Sequence, residues 1–402
     1  MAQFDIFCYG PGILVVVLHT LMMLGLFREW RKDKALCTRN GPQMAATPKV
    51  AVIIPVHNES RRMAGLLHSL LAQDYPAEII FVDDRSDDTS PAMLAQFVQN
   101  AAERGISCRV ITLTENPGPN HKQYALSMGI AAAQGDYLLF TDGDCKAPAG
   151  WIRAMVSRMD EDVGAVIGPV FKKKQGRGFF FRYQCYDHAM RYNYLAGAAG
   201  LGNATGGFGN NLMVSRAALD AIGGYEAVPP SPTEDAALIS LIRSCHGKIC
   251  HGKTCRKCRI RAAVLPDAAI ETDTEQNWRG FISQTLRWNN GGLFSPEPLT
   301  RCNFNLLMLL NLAGIFAVPL LPFFPGLWPL SAGVLIGTFT NAIAIFGLFR
   351  EKLPSAGPLN LGYLPAMLFT PIHFALITLM GYCGVKVKWK GKIISHVAVT
   401  KR

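Results

Sequence analysis

The feature that most constrains this chain is the apolar character of its two ends. Residues 4–27 carry a single charge, Asp5, while residues 304–324, 328–349 and 361–384 carry no Asp, Glu, Lys or Arg at all. About 20 consecutive apolar residues are enough to cross a bilayer as a helix. The first segment lacks the basic start and small-residue cleavage site of a secretory signal peptide, so it reads as an uncleaved anchor, with cleavage as the competing reading. Arg28, Arg31, Lys32, Lys34 and Arg39 follow it and no Lys or Arg precedes it. Basic flanks tend to stay cytoplasmic, which predicts a cytoplasmic central region. Pro325-Gly326 joins the second and third segments as a tight hairpin. If the last segment also spans, Lys386, Lys388, Lys390 and Lys392 face outward, against the same tendency. A re-entrant or interfacial segment would keep them inside, and Pro365 and Pro371 interrupt its pattern. Three or four spans are therefore expected, with the last one open.

The formal net charge of +11 suggests nucleic acid as a first partner. Many of the basic residues instead flank apolar segments, where each contributes about 1 kcal/mol against anionic headgroups. The chain carries no nucleic-acid motif, so no nucleic acid is expected as a partner.

Between the ends the pattern changes to that of an α/β domain. Residues 50–55 form a continuous β-branched apolar run, typical of a strand buried on both faces of a parallel sheet. A helical pattern at 63–71 and a second buried strand at 78–82 complete a βαβ unit ending in Asp83-Asp84. A strand at 108–113, a helix from about 122 to 133 and a strand at 136–141 lead to Asp142-Gly143-Asp144. Ligands of open parallel sheets bind beyond the carboxyl ends of the strands, which is where these acids fall. Two carboxylates one small residue apart can hold a hard divalent cation that grips a diphosphate. Asp-Gly-Asp is equally good turn chemistry.

Three further stretches carry two readings each. Gly206, Gly207 and Gly209, within residues 206–216, permit close backbone approach or mark a flexible loop. Lys172, Lys173, Lys174 and Arg177, with Phe179, Phe180, Phe181 and Tyr183, form either a lipid-dipping surface or a solvated basic loop. Cys245, His246, Cys250, His251, Cys255 and Cys258 include Cys255-x-x-Cys258, the spacing of half a zinc site, embedded in a basic stretch that suits a surface loop.

Taken in order, residues 52–59, 82–89, Thr141-Asp142-Gly143-Asp144, Thr233-Glu234-Asp235 and Gln284-x-x-Arg287-Trp288 resemble the successive motifs of membrane-bound family 2 glycosyltransferases. The resemblance covers roughly residues 48–290. It implies an α/β fold of the GT-A type with a mostly parallel sheet, and a UDP-sugar donor. By the same resemblance, Pro55 and Glu59 border the nucleotide pocket, and Asp83 with its neighbour Asp84 reads the uracil. Lys122 and Asp142 lie near the diphosphate, and Asp144, with Asp142, is the ligand of Mg2+ or Mn2+. Asp235 is the catalytic base, and Gln284, Arg287 and Trp288 close over the diphosphate. His57 stands where the family more often has an aromatic hydroxyl.

An acceptor hydroxyl needs a carboxylate to take its proton, and one base facing away from the leaving group implies inversion. The organisation resembles ceramide and carotenoid glucosyltransferases, implying transfer of one hexose, glucose being expected, to a membrane lipid. A processive β-polysaccharide synthase and a polyprenyl-phosphate glycosyltransferase are the alternatives, and a nucleotide-binding transporter or scaffold is the non-enzymatic one. The domains expected are an anchor at 1–28, a GT-A domain at 48–270, an interfacial segment at 271–303, membrane segments at 304–384 and a basic tail at 385–402. Linkers are expected at 41–49 and 295–303.

Overall fold

The computed structural model describes residues 2–38, 47–173, 175–245, 249–250, 253–254, 258–354, 358–389 and 392–394. Two compact units are present, each assembled from separated stretches. An α/β unit comprises Phe27–Phe171 and Ala198–Asp273, and a helical unit comprises Met1–Leu26, Lys172–Gly197 and Thr274–Arg402.

Helix α1 (Ala2–Thr38) begins in the helical unit and ends in the α/β unit. The α/β unit then runs β1 (Val50–Val56), α2 (Ala64–Leu71), β2 (Glu78–Asp84), α3 (Ser90–Glu103), β3 (Cys108–Leu113), α4 (His121–Ala132), β4 (Tyr137–Phe140), α5 (Trp151–Val156) and β5 (Val163–Ile167). β6 (Val170–Lys173) and α6 (Phe179–Gly200) carry the chain out and back. β7 (Leu212–Ser215), α7 (Arg216–Ala221), α8 (Glu234–Ser244), the hairpin β8 (Ile249–Cys250) and β9 (Lys253–Thr254), β10 (Arg259–Ala262) and β11 (Ile270–Asp273) follow.

Seven strands form one sheet in the order β10-β5-β7-β4-β1-β2-β3. β1 is parallel to β2 and β4, β2 to β3, and β5 to β10, whereas β7 is antiparallel to β4 and β5. The sheet is thus mostly parallel, as the α/β reading expects, with one strand reversed. Central β1 is buried almost throughout, which is why it is apolar at every position. It does not stop at Pro55. Its pairing with β4 ends at Ile53, so the N–H that Pro55 lacks falls beyond that ladder. Helix α3 and strands β5, β7 and β10 are absent from the sequence reading. Gly206 to Asn211 prove to be the approach to β7, with Asn211 fully buried as a hub. It accepts from Trp151 Nε1 (3.0 Å) and donates to the carbonyls of Pro169 and Ala268 (2.9 Å each).

The last turns of α1 are stitched to this unit by two acids four residues apart, Glu29 and Asp33, each 1% exposed. Glu29 Oε2 accepts from Ala262 N (3.1 Å), and Asp33 Oδ2 accepts from Val264 N (2.7 Å) and Leu265 N (2.8 Å). Arg158, also buried, places Nε 2.6 Å from Asp33 Oδ1 and Nη2 2.8 Å from Asp267 Oδ1. A sequence reading that assigns this stretch to a basic flank sees its charges but not the two acids that dock it.

The helical unit contains the first part of α1, α6, α9 (Trp278–Leu293), α10 (Pro298–Leu320), α11 (Trp328–Leu348), α12 (Leu364–Tyr382) and a hairpin of β12 (Val387–Trp389) with β13 (Lys392–Ile394). Among the described residues four helices are long and apolar enough to cross a membrane: Tyr9–Leu36, Pro298–Leu320, Pro325–Leu348 and Leu361–Tyr382. α10 begins at Pro298, inside the expected linker, because Glu297 caps it by accepting from Leu299 N and Thr300 N (3.0 and 2.6 Å). The described part of the expected basic tail is the β12–β13 hairpin.

The patch around residues 172–183 divides between its two readings and the interior, with Lys173, Arg177 and Phe179 exposed. Lys172 and Tyr183 are buried, and Phe179, Phe180 and Tyr183 join Trp278, Phe281 and Phe369 in an aromatic cluster with ring centroids 4.7–6.5 Å apart. Apolar surface that sequence offers to lipid is used here to pack α6, α9 and α12 together. The zinc reading falls mostly on residues outside those described, His246, His251 and Cys255, although Cys245 and Cys258 are buried.

Candidate active site

Two loops at the carboxyl edge of the sheet are interlocked first. Asn58 and Arg85 both take positive φ (55° and 58°), turning the chain sharply after β1 and β2. Asn58 N donates to Ser86 Oγ (3.0 Å), Asn58 Oδ1 accepts from Asp87 N (2.9 Å), and His57 Nδ1 lies 2.7 Å from the Asp84 carbonyl. His57 therefore serves as a tie between the two loops. Ser60 N and Ser90 N donate to Asp88 (3.1 and 2.8 Å). Burial would raise the Asp88 carboxyl, yet these serine contacts hold it well below the usual carboxylate range. Asp88 thus accepts from the first amide of α3. Asp83 is buried and accepts from Ser86 N (3.1 Å), while Asp84 pairs with Arg85 Nε (2.8 Å) and faces His121 Nδ1 at 3.8 Å.

Next to His121 stands Lys122, at the start of α4, where Asn120 caps the helix. Its Nζ lies 2.7 Å from Asp142 Oδ1 and 3.4 Å from Glu234 Oε1. Burial would lower this ammonium, but Asp142, Glu234 and Asp235 together hold it above the ordinary lysine value. Glu234 is consequently a buried partner of Lys122 rather than a surface acid.

Asp235 occupies the first turn of α8, favourable ground for a carboxylate. Its Oδ2 accepts from Gly209 N (2.8 Å) and its Oδ1 from Ala236 N (2.8 Å). A Cβ on Gly209 would stand 3.2 Å from the Asp235 side chain, so the glycine makes that bond possible. Burial first, and then the Glu234 carboxylate, push Asp235 up to about 6, against Lys122 and the two amides.

Asp144 Oδ2 accepts from Arg62 Nη1 and Thr272 Oγ1, both at 3.2 Å, and Arg62 Nη2 also meets Glu59 Oε2 at 2.7 Å. Gly143 packs on Glu59, where a Cβ would come within 3.1 Å. Beside these acids the Cys145 thiol is pushed up, first by burial and then by Asp144 and Asp142. Among the described residues no group of three or more His, Cys, Asp or Glu side chains is gathered as a metal site. The Asp142 and Asp144 side chains are 32% and 20% exposed.

The structure therefore brings together Glu59, Asp84, Lys122, Asp142, Asp144 and Asp235, with Pro55 and Asp83 at the adjoining strand ends. Arg62, His121 and Thr272 were not anticipated, although Arg62 stands three residues after Glu59, the spacing of a helical ion pair. Gln284, Arg287 and Trp288 belong to the helical unit. There Gln284 accepts from Lys172 Nζ (3.2 Å) and donates to Glu275 Oε1 (3.1 Å), and the Trp288 ring is flanked by Arg191, Lys172 and His188 (5.5, 5.9 and 5.4 Å).

The sequence profile described as "Glycosyl transferase family 2" matches residues 51–223. Those residues are a glycosyltransferase family 2 domain. Relatives bear the names of sugar transferases. An undecaprenyl-phosphate 4-deoxy-4-formamido-L-arabinose transferase of Enterobacter sp. (strain 638) is 32% identical over 143 residues, 34% of this chain and 41% of that one. The chain thus spans about two-fifths of that relative. The probable glycosyltransferase YdaM of Bacillus subtilis (strain 168) is 23% identical over 379 residues, 91% of this chain and 81% of its own. The solved mannosyltransferase PcManGT of Pyrobaculum calidifontis, in complex with GDP-Man and Mn2+, shares the fold with a TM-score of 0.52 at 19% identity, covering 93% of this chain and 99% of that one.

Proposed function

We propose that this family 2 glycosyltransferase is an inverting, metal-assisted enzyme that moves one hexosyl group from a nucleotide diphosphate sugar to a hydroxyl of a membrane lipid. The observation that carries this reading is the cluster of Lys122, Asp142, Glu234 and Asp235, which sets one carboxylate raised to about 6 beside a half-buried cation at the edge of the sheet. A base poised near neutrality is matched to taking a proton from an acceptor hydroxyl. Asp235 is that base, held in position by the Gly209 and Ala236 amides. Lys122 counters negative charge on the departing diphosphate, a role that electrostatic preorganisation favours. Asp83 and Asp84 reach toward the base of the nucleotide, with Pro55 and Glu59 beside it.

Asp142 and Asp144 fit a hard divalent cation, Mg2+ or Mn2+, since each offers partly exposed carboxylate oxygens. Bound there, the ion would neutralise charge on the leaving diphosphate. Arg287 offers a planar fork suited to phosphate oxygens, and Gln284 and Trp288 share its helix.

For the acceptor, the ceramide and carotenoid glucosyltransferases suggest a neutral lipid hydroxyl. The 32% identity to an undecaprenyl-phosphate transferase favours a second reading, in which the acceptor oxygen belongs to a lipid phosphate. A phosphate oxygen needs no base to deprotonate it, so dependence on Asp235 separates the two. Purified full chain is incubated with native lipid extract, UDP- or GDP-hexoses and Mg2+ or Mn2+, and products are read by mass spectrometry. A neutral lipid heavier by one hexose, lost in Asp235→Asn, is expected. A glycosylated polyprenyl phosphate would establish the second reading, a ladder of products would indicate a polymer synthase, and no product with any donor would defeat the proposal.

A further inference from the structure

Composition makes Leu361–Tyr382 as good a span as the other three apolar helices, but its contacts do not follow theirs. α1, α10 and α11 run side by side. Tyr9 meets Trp328 (ring centroids 5.7 Å apart), Gly12 meets Pro329 and Gly333, and His19 meets Gly337, so α1 and α11 ascend together. α10 runs the other way, with Gly314 against Val334 and Ser331 Oγ donating to the Gly314 carbonyl at 2.8 Å. Small residues let these backbones approach closely, as packing within a bilayer favours. One end of this trio holds Tyr9, Trp328 and the turn at Pro325–Leu327. The other holds Leu26, the first turn of α10 and the last turn of α11.

Both termini of α12 lie at that second end. Tyr363, just before it, packs on Phe346 near the end of α11, with ring centroids 5.5 Å apart. Tyr382, its last residue, bonds to Asn305 near the start of α10. A crossing helix would place those termini at opposite ends. Along its length α12 follows the amphipathic helix α9, while Asn311 of α10 donates to the Pro371 carbonyl at its middle (3.0 Å). Phe369 meets Trp278 (5.8 Å), His373 Nε2 lies 3.0 Å from Thr285 Oγ1, Ile377 packs with Leu286, and Gly381 packs on Asn290. The two helices run parallel, residue for residue.

Polar satisfaction agrees. His373, 1% exposed, also meets Tyr183 OH through Nδ1 (2.8 Å) and lies 3.7 Å from Asp187, which Arg191 holds (2.8 Å). All of these groups belong to α6 and α9, so the one ionisable side chain of α12 is paired within that layer. Of the apolar window of α12, 56% is buried by protein, against 17% for α10, whose surface is left to lipid.

We propose that α12 does not cross the bilayer but lies with α9 in one leaflet, so that the chain has three spans and returns its C-terminal basic run to the face that α1 leaves at Leu26. Arg28, Arg31, Lys32 and Lys34 then share a face with the run beginning at Lys386. The conflict that a fourth span creates with the preference of basic flanks for one side disappears.

The test uses the full chain in sealed vesicles of each orientation. A membrane-impermeant maleimide is applied, and mass spectrometry of peptides reports which cysteines are modified. Cys302, near the start of α10, and Cys383, after α12, are both exposed. Modification of both from the same face is expected, and modification from opposite faces would overturn the three-span reading. A C-terminal tag, probed by protease from each side, gives the same answer should either thiol resist labelling. Access to the tag from the face that also admits cleavage near Arg28 supports the proposal, and access from the other face refutes it. Neither readout needs turnover, so failure of the proposed reaction leaves this conclusion standing, and the reverse holds as well.

Discussion

Asp235 shows how a single side chain is tuned by what surrounds it. Its carboxyl is raised to about 6 by burial and by Glu234. The base works only when ionised, so transfer should fall as pH drops through that value and level off above it, which a pH profile of kcat/KM measures. Replacing Glu234 by Gln removes the like charge, and the acidic limb should move to lower pH. Asp235→Asn keeps the shape but cannot accept a proton. Turnover should fall by about 10²- to 10⁴-fold while nucleotide binding, read by calorimetry, survives. If turnover persists, Asp235 is not the base. At this scale the sequence was informative about acids and nearly silent about their partners. Asp142, Asp144 and Asp235 announce themselves by following strands and opening a helix. Arg62 and Thr272 do not, because 82 and 128 residues separate them from Asp144, and only the fold brings them near.

At the scale of the element, the end of α1 has two duties. Its basic residues read plainly as a membrane flank, but Glu29 and Asp33 turn the same turns into part of the α/β unit. Asp33→Ala would leave Arg158 buried with one fewer carboxylate and two amides without their acceptor. Breaking a buried pair in this way costs about 3–5 kcal/mol. At about 2–4 °C per kcal/mol the melting midpoint of the detergent-solubilised chain should fall by roughly 10 °C, and a shift near zero would contradict the docking role. The parallel strands β1, β2 and β4 were legible because two-sided burial writes an apolar run into each. β7 was not, since its four residues sit behind a glycine-rich approach that reads as loop. Helix α6 was hidden for a different reason: its aromatic start looks like a lipid contact until α9 and α12, about 100 and 190 residues away, are packed against it.

For the whole molecule, the interleaving of the two units sets a limit on dissection. A fragment of residues 48–270 follows the natural reading of a catalytic domain, yet it omits Glu29 and Asp33. A fragment of residues 27–273 retains them. The shorter piece should therefore melt lower and recover less soluble protein, and equal behaviour of the two would show that the α1 stitch is dispensable. In both, the segment Lys172–Gly197 is cut off from the helices it belongs with, so neither should match the intact chain.

The order of strands across the sheet also fixes an order in time. β1 to β4 form one block and β5 with β10 another, and β7 alone, antiparallel to both neighbours, joins them. As the ribosome delivers the chain, β4 and β5 emerge with bare edges and must wait while all of α6 is made before Leu212–Ser215 arrives to close the gap. During that interval the nascent protein exposes two unpaired strand borders, the kind of surface that invites wrong partners. Slow decoding across residues 174–211 would lengthen the exposure, which makes this stretch the place where synthesis speed and chaperone capture decide how much of the enzyme is ever completed.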